Sequence, residues 1–548
     1  MIFREIWKIL GAFFLAFSLM LLIPLGLAVY YEWITDTPPI TPPSALAFLE
    51  TFGIGLAIAA ILLFLGRKAH GKELYRKEGL ISVVMIWLLT PMFAALPFLL
   101  SGTLSSPVQA YFEATSGLTT TGASLLSPKI YDPDTGNEIP HVRVVRQELD
   151  TYYVFYGTVN PVRNQQGEIV LEGIEAVSKP ILLWRSFLQW LGGLGIIVLF
   201  VAILPALGVG GKVLYHAEMP GPIEETLTPR LKETAAMLWK IYVGLSLLQI
   251  GLLKFFDPNL PWYDAFTVTF STISTGGFTA KNGSISSYNS ASLEWIVILF
   301  MLVGSINFSL YFYCLKRKFY RLYEPELLVY LLVLTLAGSF AIYFLQGTLL
   351  YPLNGSEPTF FGWGDSIRTG FFQVISAQTS TGFATTNYDL WPLPTQVLML
   401  ILIYVGGMSG STAGGIKMMR HIMAFRIVQN KVELMFRPET VRSFKVGVKE
   451  VGVNAALTVL CFFLTVLAIA VLGTFFLVLS GLDPESALTV TSSTINNSGM
   501  GFREAGPTDS YAFLSTFPLI ISSLTMILGR LEFFAVLVIL VPAFWKEA

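Results

Sequence analysis

The stretch TFSTISTGGFTA, residues 269–280, decides how the rest of this sequence is interpreted. It lies between two long apolar segments, yet it carries small hydroxyl side chains and paired glycines where a membrane helix would carry leucine. Glycine permits backbone conformations that other residues resist, so the pattern favours an irregular loop. Such a loop is tolerated at membrane depth only where protein or a water-filled cavity covers it.

The composition is that of a membrane protein. Of the 548 residues, 54% are hydrophobic and 13% are charged, and the mean hydropathy is +0.64. Soluble domains carry about 25% charged residues, so a large soluble core would lack polar surface. The net charge of −1 points to no particular partner, and no nucleic-acid partner is expected. Apolar runs long enough to cross a bilayer recur along the chain, which predicts an all-α polytopic membrane protein.

Ten apolar spans are predicted along the chain. They lie at about 8–31, 44–66, 80–100, 180–206, 232–256, 290–315, 325–347, 393–425, 449–480 and 512–545. Four shorter semi-apolar stretches lie between spans, at about 107–124, 261–279, 365–384 and 483–502. The polar, turn-rich segment 125–179 contains strand-like pieces, for which we predict a small extracellular β-rich elaboration.

Lysine and arginine in the short loops predict the orientation. The loops 66–79, 315–326 and 420–450 are rich in cations, and loops with such an excess face the cytoplasm. With ten spans, both termini then lie on the cytoplasmic side of a multi-pass protein.

The four short stretches form a repeat. They end in LTTTGAS, TISTGGF, QTSTGFA and INNSGMG, and each holds a Ser/Thr-Gly pair preceded by a small polar residue. The tripeptides predicted to be equivalent are Thr120, Thr121 and Gly122; Ser274, Thr275 and Gly276; Ser380, Thr381 and Gly382; Asn497, Ser498 and Gly499. A proline lies fifteen residues before the glycine in three copies, at Pro107, Pro261 and Pro484.

Each copy is predicted to be a half-helix that begins at its proline and continues as a loop returning outward. Four such loops converging on one axis would present a ring of backbone carbonyls, which replaces the hydration shell of a monovalent cation. The C-terminal ends of the half-helices add negative potential there. An ordinary turn explains any single copy, but four copies between paired spans favour a cation selectivity filter. Glu113 and Asp264, in the first two half-helices, are expected to be structural or electrostatic rather than ion ligands.

Two features interrupt the later spans. Five glycines lie within 406–415, and each costs a helix about 1 kcal/mol relative to alanine. The cluster predicts a mobile loop inside the membrane rather than a set of helix-packing glycines. Arg530 and Glu532 are the charges within the last span, and Arg530 faces either a cavity or an ion-pair partner such as Glu532.

These motifs resemble the TrkH/KtrB/HKT superfamily of potassium transporters. The resemblance rests on ATSGLTTTGAS (114–124), WRSFLQWLGGLGIIVL (184–199), STISTGGFT (271–279), SAQTSTGFATTN (376–387), GGMSGSTAGGIK (406–417) and GRLEFF (529–534). The TrkH branch is most similar, because two spans precede the first repeat. The implied fold is four helix–pore-loop–helix repeats arranged pseudo-fourfold around one central pore, plus two N-terminal transmembrane helices.

The resemblance also implies a division of the chain. The implied segments are 1–79 with the two extra helices and a basic loop, 80–206 as repeat 1 with the insertion 125–179, 207–315 as repeat 2, 316–425 as repeat 3 with an interrupted second helix, and 426–548 as repeat 4. The insertion itself is not expected from the family pattern.

The function implied by the resemblance is potassium uptake across a bacterial or archaeal cytoplasmic membrane. K⁺ is the transported ion, no organic cofactor is expected, and the chain is not expected to be an enzyme. The implied gate is formed by Gly406, Gly407, Gly410, Gly414, Gly415, Lys417 and Arg530. The implied partners are a second copy of the chain and a cytosolic TrkA-like nucleotide-binding regulatory subunit. A Na⁺- or H⁺-coupled K⁺ symporter of the KtrB/HKT type is the alternative.

Overall fold

A computed structural model describes residues 3–34, 41–68, 76–132, 134–146, 151–195, 231–437, 445–446, 449–450 and 453–545. Within these ranges, six helical spans are long and apolar enough to cross a membrane, and two bent helix pairs bring the number to eight. The prediction of an all-α polytopic protein is confirmed. The 196–206 end of the fourth predicted span, the loop 207–230 and Lys546 lie outside the described residues.

Two helical spans precede the repeats, as predicted. The first consists of Phe3–Met20, Leu22–Val29 and a π-helical turn at Tyr30–Ile34, and the second is Ala45–Gly66. Both pack on the first repeat around the buried Trp184 indole, whose ring centroid lies 6.0 Å from that of Phe17 and 6.3 Å from that of Phe48. The indole N–H donates to the carbonyl of Ala94 at 3.0 Å.

Four repeats follow, each with a first helix, a short pore helix and a second helix. In chain order the first helices are Arg76–Ala94 (extended by Leu96–Leu100), Leu231–Phe256, Pro325–Leu345 and Val453–Leu479. The pore helices are Pro107–Leu118, Trp262–Ile273, Trp363–Gln378 and Pro484–Ile495. The second helices begin with Lys179–Gly193, Ala291–Ser305, Leu393–Tyr404 and Thr516–Arg530.

The second helices of the second, third and fourth repeats are each interrupted. Ala291–Ser305 turns by 94° into Phe308–Leu315, and Thr516–Arg530 turns by 114° into Phe534–Leu540. The prediction of single spans at 290–315 and 512–545 is therefore corrected to two bent pairs. The span predicted at 393–425 consists of Leu393–Tyr404 and Met418–Phe436, separated by an irregular loop. A short C-terminal helix, Pro542–Trp545, follows the last pair.

The segment between the first pore helix and its second helix contains three antiparallel hairpins. The paired strands are Ile130–Tyr131 with Glu138–Ile139, His141–Arg146 with Thr151–Phe155, and Val162–Arg163 with Ile169–Leu171. The predicted β-rich character of 125–179 is confirmed. Two further hairpins join Leu349–Leu350 with Thr359–Phe360, and Lys445–Val446 with Lys449–Glu450.

Hydrogen bonds and ion pairs connect this β-rich segment to the fourth repeat. The Tyr153 hydroxyl donates to Asp483, the residue that caps the fourth pore helix, at 2.8 Å. Arg143 pairs with Asp509 at 2.5 Å and with Glu504 at 3.4 Å. Burial raises the pKa of both carboxyl groups, and the Arg143 guanidinium works against that shift. The first and last repeats are thereby joined on the face that carries the hairpins.

Glycine allows the two N-terminal spans to approach closely. A Cβ at Gly55 would overlap Ser18 Oγ and would lie 2.5 Å from the Phe93 ring, whereas Gly53, two residues away, has no atom within 4 Å of that position. Small residues at helix contacts permit such approach in a membrane, where packing replaces hydrophobic burial as the attraction between helices.

We therefore predict that Gly55→Leu lowers the thermal unfolding midpoint of the detergent-purified chain by several degrees. The physical reason is overpacking, which costs about 1–3 kcal/mol. Gly53→Leu is the matched control, because it changes the same helix by the same side chain in open space. Equal midpoints for the two variants would contradict this account of the packing.

Candidate ion pathway

The four loops after the pore helices share one backbone path. Each takes a left-handed conformation two residues after its helix ends, at Thr120, Thr275, Ser380 and Asn497, with φ between 51° and 57°. Each takes it again two residues later, at Gly122, Gly277, Gly382 and Gly499, with φ between 66° and 84°. These glycines are partly exposed, whereas the two residues before each are buried. The four loops are therefore structurally equivalent.

This equivalence corrects the register predicted for the second loop. The tripeptide that matches Thr120–Gly122 is Thr275, Gly276 and Gly277, and not Ser274, Thr275 and Gly276. The reason lies at the start of the pore helix. Pro107 and Pro484 are the first residues of their helices, whereas Pro261 precedes its helix, which begins at Trp262. Counting from the proline therefore misplaces the second loop by one residue.

The loops close into a ring through their glycines. An added Cβ at any of the four glycines would overlap a carbonyl oxygen of the following loop. The contacts run from Gly122 to Gly276, from Gly277 to Thr381, from Gly382 to Ser498, and from Gly499 back to Thr121. Each glycine thus makes room for the carbonyl of the residue before the next glycine, and the chain order of the repeats is their order around the ring.

A serine in each pore helix fixes the loop above it. The carbonyls of Ser116, Ser271, Ser376 and Ser493 accept the N–H of Thr121, Gly276, Thr381 and Ser498 at 2.8–3.0 Å. All four serines lie six residues before the ring glycine in the corrected register. This spacing is visible in the sequence, and it would have identified the correct register of the second loop.

Most carbonyls of the four tripeptides have no hydrogen-bond donor among the described residues. The exception is Gly276, whose oxygen accepts from Gln189 Nε2 at 2.6 Å. Buried carbonyl groups are almost always paired in proteins, so a ring in which most of the oxygens have no donor marks a place where something else satisfies them. A dehydrated cation is the group that such a ring fits.

A buried ion pair braces the first two loops from behind. Arg185 Nε lies 2.8 Å from Glu113 Oε1, with both side chains at most 1% exposed. The same guanidinium donates to Ser124 Oγ at 2.9 Å and to the carbonyl of Thr279 at 3.1 Å. Glu113 also accepts the N–H of Leu125 at 2.8 Å. Glu113 is thus engaged in structural contacts, and the second predicted carboxylate, Asp264, accepts the Tyr288 hydroxyl at 3.3 Å.

Sequence reasoning missed Arg185 and Gln189, which lie four residues apart on the first repeat's second helix. Gln189 accepts the N–H of Phe278 at 3.1 Å and donates to Gly276, so it holds the second loop at two points. The sequence contains a signal for Arg185, because a cation inside an apolar helix is costly without a partner. The same argument identified Arg530.

Beneath the ring, on the side away from the hairpins, lies the irregular segment between Tyr404 and Met418, which we name the intramembrane loop. It contains the predicted gate glycines Gly406, Gly407, Gly410, Gly414 and Gly415, together with Lys417. The predicted helix break is confirmed. Its ends are tied by hydrogen bonds from Gly406 N–H to the carbonyl of Ile416 at 3.1 Å and from Ile416 N–H to that of Tyr404 at 3.2 Å.

The intramembrane loop contacts the lower edge of three pore loops directly. Thr412 Oγ1 donates to the carbonyl of Ile273 at 3.1 Å and lies 3.4 Å from Thr275 Oγ1. Gly414 N–H donates to Ser380 Oγ at 2.5 Å, and Gly415 N–H donates to the carbonyl of Asn496 at 2.8 Å. The Lys417 ammonium donates to the carbonyl of Ala413.

Arg530 links the intramembrane loop to the remaining pore loop, which is that of the first repeat. Its Nη1 donates to Thr120 Oγ1 and to the carbonyl of Thr412, both at 3.2 Å, and its Nη2 donates to the carbonyls of Gly192 and, at 2.7 Å, Gly193. Arg530 therefore bridges the first pore loop, the first repeat's second helix and the intramembrane loop. Glu532, the partner considered for it, instead pairs with Arg420, which lies 4.0 Å over the Phe462 ring.

Comparison with known proteins agrees with this architecture. The sequence model of the family described as "TrkH: Cation transport protein" matches residues 162–547. The chain belongs to the TrkH family. A Trk system potassium uptake protein TrkH of Salmonella typhimurium is 32% identical over 552 residues, covering all of both chains. The Trk system potassium uptake protein TrkG of Escherichia coli K12 is 30% identical over 99% of each chain.

A solved structure of the family has the same fold. The crystal structure of the potassium transporter TrkH from Vibrio parahaemolyticus superposes with a TM-score of 0.78 at 28% identity, and each chain is covered completely. The pseudo-fourfold arrangement expected for a TrkH-family chain is thus confirmed. The names of these relatives describe transporters and not enzymes.

For this TrkH-family chain we predict that Glu113→Gln lowers the free energy of unfolding by about 3–5 kcal/mol, because it leaves the Arg185 charge buried and unpaired. The double variant Glu113→Gln, Arg185→Met removes both charges and should recover much of the loss. Thermal unfolding in detergent of Glu113→Gln, of Arg185→Met and of the double variant measures the coupling between the two side chains. Additive losses would show that the two side chains do not act as a pair.

Proposed function

We propose that the chain takes up potassium through a selectivity filter formed by the four loops, with an intramembrane gate beneath it. The observation that carries this proposal is the closed ring of carbonyls from buried residues, in which the described residues supply a hydrogen-bond donor to the Gly276 oxygen alone. The relatives named as potassium uptake proteins support the choice of ion. In the corrected register the proposed filter residues are Thr120, Thr121, Gly122, Thr275, Gly276, Gly277, Ser380, Thr381, Gly382, Asn497, Ser498 and Gly499.

In this proposal K⁺ exchanges part of its hydration shell for carbonyl oxygens at the ring. The four pore helices end directly before the loops, so the negative ends of their dipoles lie beside the ion. An inside-negative potential supplies about 2.3 kcal/mol per charge per 100 mV, which drives the ion inward. The excess of lysine and arginine in the loops supports an orientation in which both termini lie on the cytoplasmic side of the cytoplasmic membrane.

The intramembrane loop and Arg530 form the proposed gate. The contacts of the loop with Thr275, Ser380 and the Asn496 carbonyl support a position across the exit of the ring. The Arg530 guanidinium, held against Thr120, adds a positive charge that repels a cation at that exit. Opening requires both to move, because Arg530 also holds the carbonyl of Thr412.

The proposed partners are a second copy of the chain and a cytosolic TrkA-like nucleotide-binding subunit. The Trk system named for the relatives implies further subunits in general. The exposed basic turn at Lys316, Arg317 and Lys318 lies on the proposed cytoplasmic face, where such a subunit would bind. The symporter alternative differs in one measurable respect, since coupled uptake depends on a Na⁺ or H⁺ gradient.

The test is ⁸⁶Rb⁺ uptake into proteoliposomes that contain the purified chain, with K⁺, Na⁺ and Li⁺ as competitors. Uptake that K⁺ inhibits best supports the proposal. Uptake that requires an imposed Na⁺ or H⁺ gradient supports the symporter. Absence of flux, with and without a TrkA-like subunit, would rule out a cation pathway.

We predict that Gly122→Ser lowers the preference for K⁺ over Na⁺ by about tenfold, equivalent to ~1.4 kcal/mol. A side chain at this left-handed position meets the Gly276 carbonyl and displaces it from the ring. Gly277→Ser should act in the same way through Thr381. Competition between K⁺ and Na⁺ for ⁸⁶Rb⁺ uptake measures the preference.

Gly136→Ser is the control for that experiment, since Gly136 also has a positive φ, of 69°, but lies in a hairpin with no neighbour within 4 Å. It should leave the preference unchanged. If the Gly122 and Gly277 variants both retain the preference of the parent, the filter does not lie at these glycines.

We also predict that Arg530→Gln raises the rate of ⁸⁶Rb⁺ uptake in the absence of any partner by about tenfold. The change removes the positive charge at the exit and weakens charge-assisted hydrogen bonds worth about 1.5–3 kcal/mol each. Arg426→Gln, at an exposed arginine whose guanidinium contacts Gln429, is the control. A decrease in rate for Arg530→Gln would show that Arg530 supports the open pathway instead.

A further inference from the structure

Glu326 is a buried carboxylate that neither the proposed filter nor the predicted gate includes. It is the second residue of the helix Pro325–Leu345 and is 3% exposed. Its Oε1 accepts two backbone hydrogen bonds, from the N–H of Ser409 at 2.8 Å and from the N–H of Met419 at 3.1 Å. A single oxygen atom therefore contacts the chain on both sides of Thr412, Gly414 and Gly415.

The two donors bracket the part of the intramembrane loop that touches the filter. Ser409 lies before it, and Met419 is the second residue of the helix Met418–Phe436 that follows it. The first N–H groups of a helix have no partner within the helix, and the positive end of its dipole favours a negative charge. Glu326 supplies both an acceptor and that charge.

We propose that Glu326 is the positioning residue that holds the intramembrane loop across the exit of the filter. This inference rests on the gate of the proposed function. The carboxylate draws the two ends of the loop to one point on the third repeat's first helix, so that Thr412 and Gly414 reach the pore loops. Without it, two buried N–H groups lose a charged acceptor in the closed conformation, and the equilibrium shifts toward conformations in which water reaches them.

Thiol labelling tests the position of the loop without measuring transport. Ala413, which is 1% exposed, is replaced by cysteine in a chain whose two native cysteines, Cys314 and Cys461, are serine. The probe is a charged, membrane-impermeant methanethiosulfonate added to the detergent-purified chain. We expect Glu326→Ala to raise the labelling rate at position 413 by about tenfold, since a shift of that size in a two-state equilibrium follows from losing one charged hydrogen bond.

Three variants distinguish a positioning role from general damage. Glu326→Gln keeps an acceptor oxygen but removes the charge, so it should label faster than the parent and more slowly than Glu326→Ala. Glu326→Asp, one methylene shorter, should also label at an intermediate rate. Glu294→Ala removes a partly buried carboxylate, one that pairs with Arg368 at 3.0 Å at the opposite end of its helix from the intramembrane loop, and should not change labelling. Equal rates for the parent, Glu326→Ala and Glu326→Asp overturn the proposal, as does equal acceleration by Glu294→Ala.

Uptake of ⁸⁶Rb⁺ in proteoliposomes is the second measurement. Glu326→Ala should raise the rate severalfold with the K⁺ preference unchanged, and Glu326→Gln should raise it less. A merely structural residue would lose flux on truncation, and that result would overturn the proposal. Absence of flux in the parent chain itself would count against the proposed function, whereas the labelling rates would still decide the role of Glu326.

Discussion

The ring contact between each glycine and the carbonyl of the following loop is the constraint on which the structure depends. Four loops of the backbone can meet at one axis only if no side chain lies between them. Gly122, Gly277, Gly382 and Gly499 provide that space. Their left-handed backbone would be strained in any other residue. The pore helices, the serine anchors and the Arg185–Glu113 brace all serve to bring these four glycines together.

A membrane offers no water to an irregular backbone, so each non-helical segment must find its hydrogen bonds within the protein. The upper halves of the pore loops find them in the serine carbonyls of their own helices. The intramembrane loop finds them in its neighbours: Ser380, the Asn496 carbonyl, Arg530 and Glu326. The loop is therefore held by contacts that a conformational change can exchange for water. Such contacts suit the proposed gate, whereas the serine-anchored pore loops suit the fixed site of the proposed filter.

Charged side chains within the apolar body fall into two groups. Arg185 and Glu113 neutralise each other behind the first two pore loops, and Glu532 pairs with Arg420, which packs on an aromatic ring. Arg530 and Glu326 instead engage backbone groups of the intramembrane loop, with opposite charges and from two neighbouring repeats, the fourth and the third. Breaking a pair of the first kind costs stability, whereas removing a member of the second group changes which conformation of the loop is favoured. The same chain thus uses buried charge both to brace the pore loops and to hold the intramembrane loop.

The sequence by itself determined that this is a membrane protein with two extra N-terminal spans, four repeats, a β-rich segment and a helix break at 406–417. The reason is that hydropathy, proline and glycine determine the conformation of the segment in which they occur. The register of the second loop was wrong, because a proline can either precede a helix or begin it, and only the backbone distinguishes Pro261 from Pro107. The bends after Ser305 and Arg530 escaped the hydropathy pattern, because both halves of each pair are apolar. Only the tertiary structure decided the partners of Arg185, Arg530 and Glu326. These partners lie in another repeat or, for Glu326, in the loop that interrupts a later helix of the same repeat. No local sequence pattern encodes which distant backbone group a buried charge will contact.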